Sequence, residues 1–304
     1  MKVSEALTNV PQSSKASQMA IAIKGLSEQI VNEKVDGQFG HKVKISTGYV
    51  TLDNSELDFE FVVPFDDDLM ANEAEIIVYN LSDTTINHIQ TKKSITIEAG
   101  YGDDTGVIFS GFISSKKTHY DGLDKVTTIY AIDSSSLEER QLANVTFSAG
   151  TKASYILKSL VEQVGLPVAV FKTARDYTYT DEVKIDGGLM DNIKRLAKIC
   201  GVSAYICKSK IYVRPLKDGD NARFVLSSDT GLLSVSEFEE EEENEEYKDV
   251  IKGFEVEMLL QHRLQTASII DLVSKNYKGT FRVREGEHSY NGSDFLTKAK
   301  IIQV

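Results

Sequence analysis

The 304-residue chain has no tryptophan, only four prolines and only two cysteines. So few prolines exclude a proline-rich linker. Cys200 and Cys207 supply neither the four ligands of a structural zinc site nor a disulfide framework. Both sit in an apolar stretch, LAKICGVSAYICKSK, so they are expected as small buried hydrophobes. No apolar run approaches the roughly 20 residues of a membrane span. The N-terminus, MKVSEALTNVPQSSK, lacks the apolar core of a signal peptide, so a chain made in the cytoplasm is expected. Bases are outnumbered, with 34 Lys and Arg against 46 Asp and Glu, a net charge of −12. Such a surface repels phosphate backbones and anionic membranes, so neither specific nucleic-acid binding nor stable membrane insertion is expected. The apolar share of 41% is that of a globular protein, long enough to need no covalent staples.

Reaction centres are missing as well. The five histidines, His41, His88, His119, His262 and His288, form no HxH, HExxH or HxxxH pair. Each is expected as a surface residue or a satisfied core residue. There is no GxSxG elbow, and Gly100-Tyr101-Gly102 lacks the further glycine, the lysine and the following helix of a phosphate loop. With 46 acidic residues, some carboxylate pair always has a glycosidase-like separation, so that signal carries no information. The run Glu237–Glu246 and the turn Asp66-Asp67-Asp68 lack calcium-loop spacing and are expected as solvated segments. No catalytic, cofactor-binding or metal-ligating residue is assigned.

What is present is β periodicity. In Ser94–Ile113, Ile95, Ile97, Ala99 and Tyr101 alternate with Thr96, Glu98 and Gly100. Gly102–Gly106 breaks the pattern before a second apolar run, which predicts a hairpin. Around it, residues 41–140 read almost purely as strands with recurring turns, a first β-barrel domain. Residues 141–216 read as an α+β segment. One helix carries Ile156, Leu157, Leu160, Val161 and Val164 between a Thr151 cap and Gly165. A second runs from Leu189 to Cys200 and stops at Gly201. A tight hairpin around Lys208-Ser209-Lys210 follows. Residues 217–304 return to strands, a second β-barrel domain. In residues 1–40, Met19, Ile23, Leu26 and Ile30 mark one helix face, either packed on its own domain or forming an arm toward a neighbouring subunit. The fold class is therefore mainly β with an α+β insertion.

The order of short motifs resembles a known family. Asn80-Leu81-Ser82, then Ala99-Gly100-Tyr101, Gly106, Ile108-Phe109, Gly111, Ile113 and Ala131-Ile132-Asp133 resemble the signature of phage tail baseplate hub proteins. That family includes late-control protein D, the hubs of defective phages and tail-like bacteriocins, and the hub part of type VI secretion spike proteins. DNIKRLAKICGVSAYICKSKIYVRP resembles its middle section. FRVREGEHSYNGSDFLTKAKI resembles its last strand pair, with a Val, a His and a Thr. The family-signature structural positions are Asn80, Gly100, Tyr101, Gly106, Phe109, Gly111 and Asp133. The resemblance implies two tail-tube-like antiparallel β-barrel domains plus a small α+β segment, in a homotrimer whose pseudo-sixfold ring matches a hexameric tube to a threefold spike. The partners it implies are the chain itself, a tail tube or tube-initiator protein, a central spike protein, baseplate wedge proteins and the C-terminus of a tape-measure protein. It implies a place in a virion or tail-like particle assembled in the bacterial cytoplasm, with no cofactor.

Two other readings use the same β-rich chain. A tail-associated peptidoglycan hydrolase would clear cell wall in a zymogram through one or two acidic residues. A glycan-binding module would bind host cell wall, commonly through exposed aromatics, and the lack of Trp counts against it.

Overall fold

The computed structural model describes residues 40–134, 141–243 and 248–304, which fall in one compact unit, Phe39–Val304. The arm expected at residues 1–40 therefore lies outside the described residues, apart from Gly40, as does the end of the acidic run.

The first β region holds β1 (His41–Thr47), β2 (Thr51–Asp53), β3 (Phe59–Phe65), β4 (Glu73–Tyr79), β5 (Ser94–Tyr101), β6 (Asp104–Asp121) and β7 (Asp124–Ile132). A short helix, α1 (Asp83–His88), follows β4 and is capped by the Ser82 hydroxyl, which accepts from the Thr85 amide. The predicted hairpin is β5 and β6, with a turn at Gly102-Asp103. Its alternation holds as far as Ala99: Ile95, Ile97 and Ala99 are buried with Val43, Ile45, Phe61, Ile76 and Ile129 in one core, whereas Gly100 is buried too and Tyr101 is only half-buried. Each such isoleucine contributes roughly 1.5–3 kcal/mol by leaving water.

The insertion holds β8 (Gln141–Phe147), α2 (Ala153–Gln163), β9 (Val168–Phe171), β10 (Val183–Gly188), α3 (Leu189–Ile199), β11 (Ser203–Cys207) and β12 (Lys210–Arg214). It has its own core, formed by Ile156, Leu157, Leu160 and Val161 of α2 against Ile193 and Leu196 of α3 and the small sheets. Gly165 and Gly201 end the two helices in the left-handed conformation, as expected. Thr151 does not cap α2, because its hydroxyl donates to the Ser148 carbonyl. Asp176 instead accepts from the Ser154 amide at 3.0 Å in the first turn. Cys200 and Cys207 are buried and free.

The last region holds β13 (Asp220–Ser227), β14 (Leu232–Glu243), β15 (Lys248–Leu259), β16 (Ser268–Val273), β17 (Lys278–Tyr290) and β18 (Phe295–Gln303). Its core contains Leu226, Val256, Met258, Ile270, Leu272, Val283 and Ile301, joined by Phe65 from β3.

The fold is mainly β with an α+β insertion. The two β regions do not close as separate barrels among the described residues. They share one 13-stranded sheet whose path runs from β14 through β15, β18, β17, β3, β4, β7, β6, β5 and β1 to β2. The cause is the length of β17. Its first part, Lys278–Arg282, pairs with β16, and its second part, Gly286–Tyr290, pairs with β3.

Candidate functional site

Where β16 leaves β17 and β3 takes its place, the sheet forks. The turn after β3, Asp66-Asp67-Asp68, fills that fork. Arg282 is fully buried there and donates from Nη1 to Asp67 Oδ2 at 3.1 Å, while its Nε donates to the Asp218 carbonyl at 3.2 Å. Arg284 lies 3.5 Å from the same Asp67 carboxylate. The turn was expected to be solvated. It is instead ion-paired and half-buried, because two arginines of β17 meet it.

The three regions converge on this fork. From the insertion, the Ile206 amide donates to the Asp68 carbonyl at 3.1 Å. Arg214 bonds the Tyr205 hydroxyl and Asp220, both at 2.8 Å, which ties the insertion to the start of β13. The tip of the β11–β12 hairpin reaches the first region. Lys208 donates to the Val107 carbonyl at 2.5 Å, and Ser209 to the Ser110 carbonyl at 3.0 Å. Both tip residues have positive φ, 49° and 60°, the conformation of a tight two-residue hairpin turn. From the last region, Thr266 donates to the Asp66 carbonyl at 2.8 Å. Arg263 grips Asp104 with two nitrogens, at 2.7 and 2.6 Å. That pair holds the Asp104 carboxyl below the usual carboxylate range.

His288 on β17 faces Thr297 on β18 and is fully buried. Its Nε2 lies 3.2 Å from the Leu264 carbonyl, which can only accept, so Nε2 carries the proton. Nδ1 then accepts from the Thr297 hydroxyl at 2.8 Å, and that oxygen accepts from the Gln261 amide at 3.0 Å. Burial lowers the His288 pKa to about 3, so the ring is neutral. The Val, His and Thr of the closing motif thus include a satisfied core histidine that anchors the β15–β16 connection.

The signature positions distribute around this junction. Tyr101 donates to the Phe295 carbonyl at 3.2 Å, and burial pushes its hydroxyl up to about 12. Gly106 lies against His262, where an added Cβ would sit 2.2 Å from the ring. Phe109 is buried, and with Asp133, Asn72, Cys207, Lys208 and His288 it lines a small cleft. Asp133 accepts from the Asn72 amide at 3.0 Å and from its Nδ2 at 3.3 Å. Burial raises its pKa to about 7, and burial with the neighbouring Asp68 raises Asp66 to about 6. At Gly111 a Cβ would sit 2.2 Å from the Ile132 carbonyl, so the close approach is that of β7. Gly100 is likewise pressed against the Asp104 carbonyl across the hairpin turn. Asn80 stands apart. It has φ 57° and clamps the start of β7, accepting from the Lys125 amide at 3.0 Å and donating to Asp124 at 2.9 Å.

Sequence reasoning missed Asp67, Arg263 and Arg282. One cue existed: Arg282 sits between Phe281 and Val283 in a strand, where a cation must be met by a buried acid. Among the described residues no group of three or more His, Cys, Asp or Glu is arranged to hold a metal ion. No helix there is long and apolar enough to cross a membrane.

The sequence profile of the family described as baseplate hub gp41 matches residues 69–278, more than half of the chain. The chain belongs to this baseplate hub family. No curated protein sequence matches the hub. Solved structures share its fold. The 43 kDa tail protein of prophage MuSo2 from Shewanella oneidensis superposes with a TM-score of 0.64 at 9% identity, covering 87% of the hub and 98% of that chain. The tail protein from Neisseria meningitidis MC58 gives 0.62 at 9% identity, covering 87% and 97%. The E. coli c3393 protein gives 0.59 at 9% identity, covering 86% and 77%. It is described as a type VI secretion component similar to the bacteriophage T4 tail proteins gp27 and gp5. At such identities the likeness is one of fold. The family shown by the profile match is one of structural proteins of the phage tail baseplate.

Proposed function

We propose that the protein is a homotrimeric hub that joins a hexameric tail tube to a threefold central spike, and that it acts by matching symmetries and not by catalysis. The carrying observation is the β3–β17 ladder, which fuses two β regions of one chain into a single sheet. Three such chains present six β regions in a ring, which suits sixfold contact on one side and threefold contact on the other. The junction supports this reading. Its ion pairs and the hydrogen bonds of Lys208, Ser209 and Thr266 tie the regions into a rigid body, as an adaptor under load requires. Residues 41–140 and 217–304 are the two ring-forming domains in this reading, and 141–216 is the brace between them. The partners are the tube or tube-initiator protein, the spike, baseplate wedge proteins and the end of the tape measure. The location is the baseplate of the particle.

The test is co-expression with the tube and spike proteins, followed by negative-stain imaging. A cap bridging tube and spike is expected. A chain that associates with neither protein overturns the reading.

A further inference from the structure

The insertion differs in charge from the rest of the chain. Residues 141–216 hold eleven Lys and Arg against six Asp and Glu, and the other residues hold 23 against 40. A lobe with a net charge of +5 thus sits in a chain of −12. Such asymmetry marks a surface for an anionic partner.

One face of the insertion concentrates this charge. α3 buries Leu189, Met190, Ile193, Leu196 and Ala197 and turns Lys194, Arg195 and Lys198 to solvent. Arg175 is fixed at the end of the same helix, donating to the Lys198 and Ile199 carbonyls at 3.1 and 3.0 Å. Arg195 lies beside Tyr179, whose ring meets that of Tyr177 edge-on at 4.9 Å. Tyr177 is half-exposed. The strip therefore combines cations with an exposed aromatic. The two acids beside it in sequence do not neutralise it. Asp176 accepts from the Ser154 amide and hydroxyl, and Asp191 belongs to the first turn of α3. The ion pairs of Lys172 with Asp218 and of Arg214 with Asp220 join the insertion to the start of the last region and use no residue of the strip.

A cation in the last turn serves the helix dipole, which accounts for Lys198. It does not account for Lys194 and Arg195, which precede that turn, nor for the exposed Tyr177. Tyr and Arg are enriched where protein surfaces meet, and charges at the rim steer a partner of opposite sign. The face spans 11 helical residues, about 16 Å. A long polyanion such as duplex DNA, or an anionic bilayer, would extend past it toward the acid-rich β regions and be repelled. A compact acidic protein surface fits within it.

We infer that Arg175, Tyr177, Lys194, Arg195 and Lys198 form the docking face for an acidic surface of another protein of the particle. This rests on the ring proposed above, in which the β regions make the contacts between copies and leave the insertion for a different partner. It gives the insertion a recognition role besides that of a brace.

The test measures binding of the full chain to the purified tube, spike and wedge proteins of the same particle and to the C-terminal segment of the tape measure. One of them should bind the wild type and should bind a Lys194→Glu/Arg195→Glu chain at least about tenfold more weakly. Tyr177→Ser, which leaves the charge unaltered, should weaken the same complex. Both variants should keep the thermal midpoint and the light-scattering mass of the wild type. Should the charge-reversed chain fail to fold, Lys194→Gln/Arg195→Gln takes its place with the same loss expected. A folded variant that binds every one of these proteins as the wild type does overturns the inference and leaves the ring standing. So does a folded variant whose trimer falls apart, since the strip then belongs to the contact between copies. A trimeric wild type that binds none of the proteins also overturns it, and capture of duplex DNA or phosphatidylglycerol vesicles through the same residues would then assign the strip to a polyanion or a bilayer. A wild type that stays monomeric and binds no tail protein overturns both readings.

Discussion

Arg282 and Asp67 lie 215 positions apart in the chain and meet at 3.1 Å inside the fork of the sheet. The arginine side chain has no exposed surface and the aspartate only 9%. Such a pair is a weak source of net stability but a strong constraint, because either partner alone is an uncompensated buried charge. Asp67→Ala is therefore expected to destabilise the protein by about 3–5 kcal/mol in denaturant unfolding. The double variant Asp67→Leu/Arg282→Met should recover much of that loss. Equal losses in the single and double variants would show that the pair does not act as a unit.

The glycines of the central hairpin make a second prediction. Gly111→Val must push against the Ile132 carbonyl, and Gly106→Ala against the His262 ring. Each should cost about 1–3 kcal/mol through overpacking, with Gly111→Val the more severe because backbone cannot swing aside. Gly48→Ala, with nothing within 4 Å of the added Cβ, should change stability by less than about 0.5 kcal/mol. Chemical denaturation of the three variants checks the order.

The buried titratable groups predict opposite pH slopes. Asp133 rises from 3.8 to about 7, so the folded protein keeps a proton that the unfolded chain has released. Its contribution is complete below pH 3.8 and is lost as the pH rises toward 7. Asp66 acts in the same sense. His288 falls from 6.5 to about 3, so its contribution is complete above pH 6.5 and lost as the pH falls. Melting temperature against pH should show Asp133→Asn gaining on the wild type as pH rises from 4 to 8. His288→Gln should gain on it as pH falls from 7 to 4. Differences that stay flat across those ranges would contradict the assigned burial.

Much of this architecture was legible in local pattern. Alternation located β5, and the glycine stops and apolar stripes located α2 and α3 to within a residue or two. Lys208-Ser209 marked the hairpin between β11 and β12. These features depend on neighbours in sequence. The strands β8, β10 and β13 were not visible, since Ala143–Phe147 and Val183–Asp186 alternate over only four or five residues, Asp220–Ser227 alternates poorly, and all three are held by partners far along the chain. The same reason hid the junction. Asp66-Asp67-Asp68 reads as a solvated turn until Arg282 and Arg284 are brought to it by β17. The signature glycines were legible as positions needing no side chain, but the contact that Gly106 makes with His262, across two regions, was not.

We propose a threefold ring built from chains that each carry two joined β regions. Multi-angle light scattering on the purified protein, alone and with the tube protein, separates such a ring from a monomer. A species of three times 33.7 kDa is expected, either free or on the tube. A stable 33.7 kDa monomer under both conditions would contradict it.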